Sequence, residues 1–232
     1  MSRSMQPIVA IQAMRRLIAD PEQTQEVFTI VRALSGPSIQ RGYQRFADTE
    51  AGQEIIREQR DILSALSDQD YLATLPADSL GRHYLHFVQS ENLSAEGLVD
   101  ASNTEGYDDL APNVALFARR QRDTHDLFHT LTRYGRDELG EACLLAFTYA
   151  QTKNRGIGFI CLVGLAKLAQ QHGAGVFRAG WRAYRDGKRS AWLPGLDWES
   201  LLAEPIESLR RTLQIAEPTE YQEVLQVSPT PA

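Results

Sequence analysis

The sequence predicts an all-α protein, a single compact multi-helix bundle over residues 1–216 with a disordered tail at 217–232. Apolar residues recur at steps of three and four along nearly the whole chain, which places them on one face of successive helices. No stretch of strand length alternates apolar and polar residues, and Gly, Pro and capping residues punctuate the helical runs.

The elements follow in order. Ile8, Ile11, Met14 and Ile18 mark a first helix, and Val27, Ile30, Val31 and Leu34 a second that ends at Gly36-Pro37. Thr49 is an N-cap for a helix from Ala51 to Leu66, with Ile55, Ile56, Ile62, Leu63 and Leu66 as its buried stripe. A loop at Pro76 leads to a cap at Asp78 or Ser79, and Leu80 to Val88 follows with Leu80, Tyr84, Phe87 and Val88 on one side. Ser90 to Asp109 is a polar loop. Pro112 suits a first helical turn, and Asn113 to Tyr134 reads as one long helix. After a break at Gly135 come helices from Asp137 to about Thr152 and from Gly156 to Gln171. Gly173 and Gly175 interrupt the chain before Val176 to Tyr184. A last helix, Trp198 to Ile215, is interrupted by Pro205, and the chain frays after Pro218.

Composition narrows the function. The 232 residues are 43% hydrophobic, enough for a sizeable core. A net charge of −6 argues against a nucleic-acid binder, which would want an excess of Lys and Arg. Cys143 and Cys161 lie in apolar stretches without CxxC spacing, so they read as small core residues in a reducing compartment. The N-terminal segment carries Gln12, Arg15 and Arg16 within its apolar run and lacks the pattern of a secretory signal. The longest apolar run, GIGFICLVGL from Gly156, falls short of the ~20 residues that span a bilayer.

The chemistry concentrates in RDTHDLFHTLTRYGRDELGEACLLAF, which contains HDxxH. On a helix His125 and His129 are about 40° apart and one turn along the axis, so two imidazoles can converge on one cation. Asp126 lies about 60° further round, as a third ligand or as an acceptor that orients His129. Glu141 follows with eleven residues intervening, on its own helix beyond Gly135. Antiparallel packing of the two helices would return its carboxylate to the histidines. This mixed set suits Zn²⁺ first, with Mn²⁺, Fe²⁺ or Mg²⁺ less favoured. His83 and His86 have no carboxylate within a turn on their face, and read as polar surface.

HDxxH with the spaced Glu, and the segments FADTEAGQEIIREQRDI, LPADSLGRHYLHF, GKRSAW and WESLLAEPIESLRRTLQI in this order, resemble the coenzyme Q (ubiquinone) biosynthesis protein four family over roughly residues 8 to 216. The resemblance implies an all-helical fold with an apolar tunnel and a zinc-type site at His125, Asp126, His129 and Glu141. It implies oxidative decarboxylation of a polyprenyl-hydroxybenzoate ring in ubiquinone biosynthesis, with those four residues as catalytic and metal-binding. The implied partners are a polyprenyl-tailed lipid, other quinone biosynthesis proteins and a membrane surface, and amphipathic helices of this kind could also pair as a homodimer. The implied location is peripheral, on the cytoplasmic face in a bacterium or the matrix side of the mitochondrial inner membrane in a eukaryote.

Given a tunnel, the helix from Gly156 supplies a candidate wall in Phe159, Ile160, Leu162 and Val163. Ile8 to Ile18 with Arg15 and Arg16 is the candidate membrane face, and Arg178, Arg182, Arg185, Lys188 and Arg189 form a basic cluster that could meet anionic headgroups. The main alternative is a non-catalytic scaffold that grips a polyprenyl lipid and organises a biosynthetic complex. An HD-type phosphohydrolase ranks last, because Glu141 would then have no role.

Overall fold

A computed structural model describes residues 5–20, 24–91 and 110–227. In chain order the helices are α1 (Pro7–Ala19), α2 (Thr24–Ser35), α3 (Ser38–Ala47), α4 (Glu50–Glu58), α5 (Ile62–Ser67), α6 (Gln69–Thr74), α7 (Leu80–Ser90), α8 (Pro112–Asp123), α9 (His125–Thr132), α10 (Glu138–Thr152), α11 (Arg155–His172), α12 (Gly175–Arg189), α13 (Trp198–Leu201), α14 (Ile206–Thr212) and α15 (Thr219–Val227). Among the described residues the extended pairing amounts to one bridge, Ser79 to Pro205. The all-α class read from periodicity holds. Most of the polar loop expected at Ser90 to Asp109 lies outside the described residues. No described helix is long and apolar enough to cross a membrane.

Contacts group the chain into two compact units. One draws on Met1–Arg41, Tyr134–Ser190 and Glu217–Ala232, the other on Gly42–Arg133 and Ala191–Ala216. Periodicity gives no sign of this grouping, because each unit is assembled from segments far apart in sequence.

In the first unit Ala10, Ala13 and Met14 of α1 pack with Ile30 and Ala33 of α2 and Ile160 of α11. The stripe read on α1 is divided: Met14 is buried, whereas Ile8, Ile11 and Ile18 are 72%, 49% and 55% exposed. Two alanines let the α1 and α2 backbones come close, and that close contact outweighs burial of the larger isoleucines. Helix α11 meets α2 just as tightly at Gly156, where a Cβ would lie 2.5 Å from the Val31 Cα. Gly156→Ala therefore gains helix propensity but drives a methyl into backbone, and we expect a net loss of about 1–3 kcal/mol in denaturant unfolding. Cys143 and Cys161 are free and buried, and burial pushes the Cys161 thiol up to about 11.

The expected fraying after Pro218 is overturned at α15, whose Tyr221 and Val224 are buried. The Tyr221 hydroxyl donates to Asp137 and accepts from the Gly135 N–H at 3.1 Å. Asp137 also caps α10, accepting from the Leu139 and Gly140 N–H groups at 3.1 and 3.0 Å. One phenol thus ties the last helix to the Gly135 turn, which a period-based reading cannot detect.

In the second unit Phe46, Ile55, Leu116 and Phe117 form a core, with the Phe46 and Phe117 rings 5.2 Å apart. The helix expected from Ala51 to Leu66 is two helices. The Thr49 hydroxyl caps α4, accepting from the Gly52 N–H at 3.0 Å, and Gln59 ends it in the left-handed region at φ 52°. Asp61 then restarts the chain as α5 by accepting from the Leu63 N–H at 3.1 Å. Helix α3, not anticipated, has few large apolar residues but buries Phe46 and Ser38. Likewise Trp198 to Ile215 resolves into α13 and α14, parted near Pro205 as expected.

Candidate metal centre

The long helix expected from Asn113 to Tyr134 breaks at Thr124, whose φ of −85° and ψ of 3° separate α8 from α9. The Thr124 hydroxyl donates back to the Arg120 carbonyl at 2.8 Å, a local bond that competes with continuing the helix. Helix α9 thus opens on the motif itself, and it closes after two turns at Arg133, left-handed at φ 63°.

Within α9 the His125 and His129 Nε2 atoms lie 3.2 Å apart. Their rings meet edge to face, with centroids 4.8 Å apart at 87°. Among the described residues His125, Asp126 and His129 form a group whose potential ligand atoms all lie within 4.8 Å of one another. Zinc–imidazole bonds of 2.0–2.1 Å in a tetrahedron put two donor nitrogens roughly 3.3 Å apart, so the histidine pair already has the spacing of two ligands on one ion. The donor set therefore fits the divalent metal read from the motif.

Surrounding groups fix this arrangement. His129 is 1% exposed, and the Phe87 ring of α7 stacks on it at 5.7 Å and 17°. The Tyr84 hydroxyl, one turn earlier on α7, is buried without a hydrogen-bond partner among the described residues. Burial, followed by the charges of Asp126 and Asp123, holds that hydroxyl protonated well above the ordinary tyrosine range. Asp123 is buried as well. Burial raises its carboxyl above the usual range, against a 2.7 Å hydrogen bond from Arg122.

Tyr84 and Phe87 read as core positions in sequence; only the packing of α7 on α9 reveals them beside the motif. The signal available in advance was a phenol amid GRHYLHF, since a buried tyrosine usually finds a partner. His83 and His86, on the same helix, are exposed and outside the donor group.

Glu141 lies in the first turn of α10, in the other unit. It is half-buried, with its Oε1 4.0 Å from Arg136 Nε. The four apolar residues expected to line a tunnel have unequal surroundings on α11. Ile160 belongs to the α1–α2 core, Phe159 and Val163 are partly buried against it, and Leu162 is 66% exposed.

The fold has a solved counterpart. A Nostoc punctiforme protein named for ubiquinone biosynthesis aligns with a TM-score of 0.68 over 92% of this chain and 100% of its own, at 18% identity. Among sequences, a mitochondrial ubiquinone biosynthesis protein COQ4 of Podospora anserina is 27% identical over 89% of this chain and 67% of its own length. The Aspergillus clavatus protein of the same name is 30% identical over 75% of this chain and 59% of its own. The chain thus spans about three-fifths to two-thirds of these relatives. The family model "Coenzyme Q (ubiquinone) biosynthesis protein Coq4" matches residues 2–219, and the chain belongs to that family.

Proposed function

We propose that this chain acts in ubiquinone biosynthesis by metal-dependent oxidative decarboxylation of a polyprenyl-hydroxybenzoate ring, with His125, Asp126, His129 and Glu141 as the metal ligands. One observation carries the reading: two imidazole nitrogens 3.2 Å apart with a carboxylate beside them. A bound divalent ion, zinc first for this donor set, supplies Lewis acidity toward the carboxylate and phenolate oxygens of such a ring.

The chain's own groups do the rest. Phe87 stacks on His129 and fixes the direction of its ring. Tyr84, protonated and buried, is a donor for a ring oxygen. In the overall change the bond from ring carbon to carboxylate breaks and carbon dioxide leaves. A water oxygen joins that carbon as a hydroxyl with release of a proton, and two electrons pass to dioxygen, which takes up two protons to give hydrogen peroxide, or to a partner enzyme. The apolar tail would lie along Phe159, Leu162 and Val163, with Ile160 behind them in the core, and the exposed isoleucines of α1 would rest on a membrane face.

The test is complementation of a quinone-deficient strain with product analysis. Wild type should restore quinone, whereas His129→Ala and Glu141→Ala should leave the carboxylated precursor to accumulate. If both variants restore quinone fully, the catalytic reading fails and the non-catalytic lipid scaffold replaces it.

A further inference from the structure

A cavity of about 260 Å³ in the first unit is lined by Met5, Ser35, Pro37, Arg41, Lys153 and Arg155. Three of these six residues are cations and none is an acid. The sequence as a whole has the opposite balance, 30 acidic residues against 24 Lys and Arg. Elsewhere in this unit several arginines take carboxylate partners: Arg16 pairs with Glu26, Arg178 with Glu223, and Arg182 with Asp186.

Among the described residues the cavity cations are held without a carboxylate partner. Arg155 Nη1 sits 3.3 Å from the Met5 sulfur, an uncharged and weak acceptor. The Lys153 ammonium lies over the Tyr184 and Tyr149 rings, 5.2 and 5.7 Å from their centroids. Those rings stack, and Trp181 stacks on Tyr184 in turn. Lys153 also adopts a left-handed φ of 54°, a conformation that favours glycine and is unfavourable for a lysine. Arg41 has no ion-pair partner among the described residues. Gathering three like charges is unfavourable unless an anion joins them.

Helix ends do not decide the matter, because α3 and α11 begin beside the cavity while α2 and α10 end there, and their dipoles offset. Side-chain charge does. Two guanidinium forks with an ammonium match a multiply charged tetrahedral oxyanion better than a carboxylate.

We propose that this cavity binds a phosphate group, held by Arg41, Lys153 and Arg155. Both a lipid headgroup and a free phosphate present that chemistry. Met5 lines the cavity, and it leads directly into the exposed apolar side of α1 at Ile8 and Ile11.

The experiment compares the full chain with the Arg41→Gln/Arg155→Gln double variant, after matching circular dichroism melts verify folding. Calorimetric titration with inorganic phosphate should show saturable binding by wild type, weakened about tenfold for each guanidinium removed, since roughly 1.4 kcal/mol corresponds to each factor of ten. Flotation on vesicles of equal parts phosphatidylcholine and phosphatidic acid identifies the source. Wild type should float there and not on phosphatidylcholine alone, with flotation lost in the double variant and in Ile8→Asp if the source is a headgroup. Phosphate binding without flotation assigns a free phosphate. His129→Ala should leave both readouts unchanged, which separates this site from the metal centre. Equal behaviour of wild type and double variant in both assays, or no binding by either, overturns the proposal.

Discussion

His129→Ala purified beside wild type should contain no stoichiometric divalent metal, with affinity reduced on the order of 100-fold or more. Of the three clustered donors His129 is the most buried, at 1% exposure, and its Nε2 lies 3.2 Å from that of His125. Removing it leaves one imidazole with the carboxylates of Asp126 and Glu141, a set too weak to hold zinc stoichiometrically through dialysis. Phe87→Ala should weaken binding less, by about tenfold, because the stacked ring aims the imidazole without donating an electron pair. Glu141→Gln keeps the size of the side chain and removes its charge; a loss of affinity comparable to that of His129→Ala would establish it as a ligand. Metal content measured by plasma emission after dialysis decides all three. Stoichiometric metal retained by His129→Ala would sink the site.

That site was legible in sequence to an unequal degree. HDxxH needs only helical geometry to bring two imidazoles together, so His125 and His129 could be read from spacing alone. The helix break at Thr124 could not, because it depends on one hydroxyl turning back to the Arg120 carbonyl. Tyr84 and Phe87 looked like core because their helical face is apolar; their relation to α9 exists only after packing. The stripe on α1 was legible only in part for a related reason, since Met14 is buried and Ile8, Ile11 and Ile18 are exposed. Hydrophobic periodicity favours the larger side chains, whereas the α1–α2 contact selected Ala10 and Ala13 for close approach. On α15 a short polar stretch gave no signal, and Tyr221 reaches partners 84 and 86 residues away.

Arg120→Met should destabilise the protein by roughly 3–5 kcal/mol, the range for breaking a buried ion pair from one side. Arg120 is 3% exposed. It meets the Glu199 carboxylate through two hydrogen bonds of 2.5 and 2.7 Å, and also donates to the Arg60 carbonyl at 3.2 Å. Methionine keeps most of the volume but strands a largely buried carboxylate. A double variant, Arg120→Met with Glu199→Leu, should recover most of the loss, because apolar partners of similar size avoid the desolvation of both ions.

The dependence on pH distinguishes this explanation from a packing defect. Burial pushes the Glu199 carboxyl upward, but the hydrogen bonds and charge of Arg120 outweigh it and hold the group below the usual carboxylate range. In wild type, therefore, the unfolded chain binds more protons at this group than the folded one, and the contribution is lost as pH falls through the folded value. Without Arg120 the largest remaining influence is burial's upward push, opposed by the smaller downward effects of a backbone hydrogen bond and of Asp197. The sign should then reverse, the folded form holding the extra proton and stability from Glu199 falling as pH rises. Denaturant midpoints from mild acid to neutral should diverge between the two proteins, with Arg120→Met losing ground toward neutral pH. Parallel curves would assign the loss to packing alone.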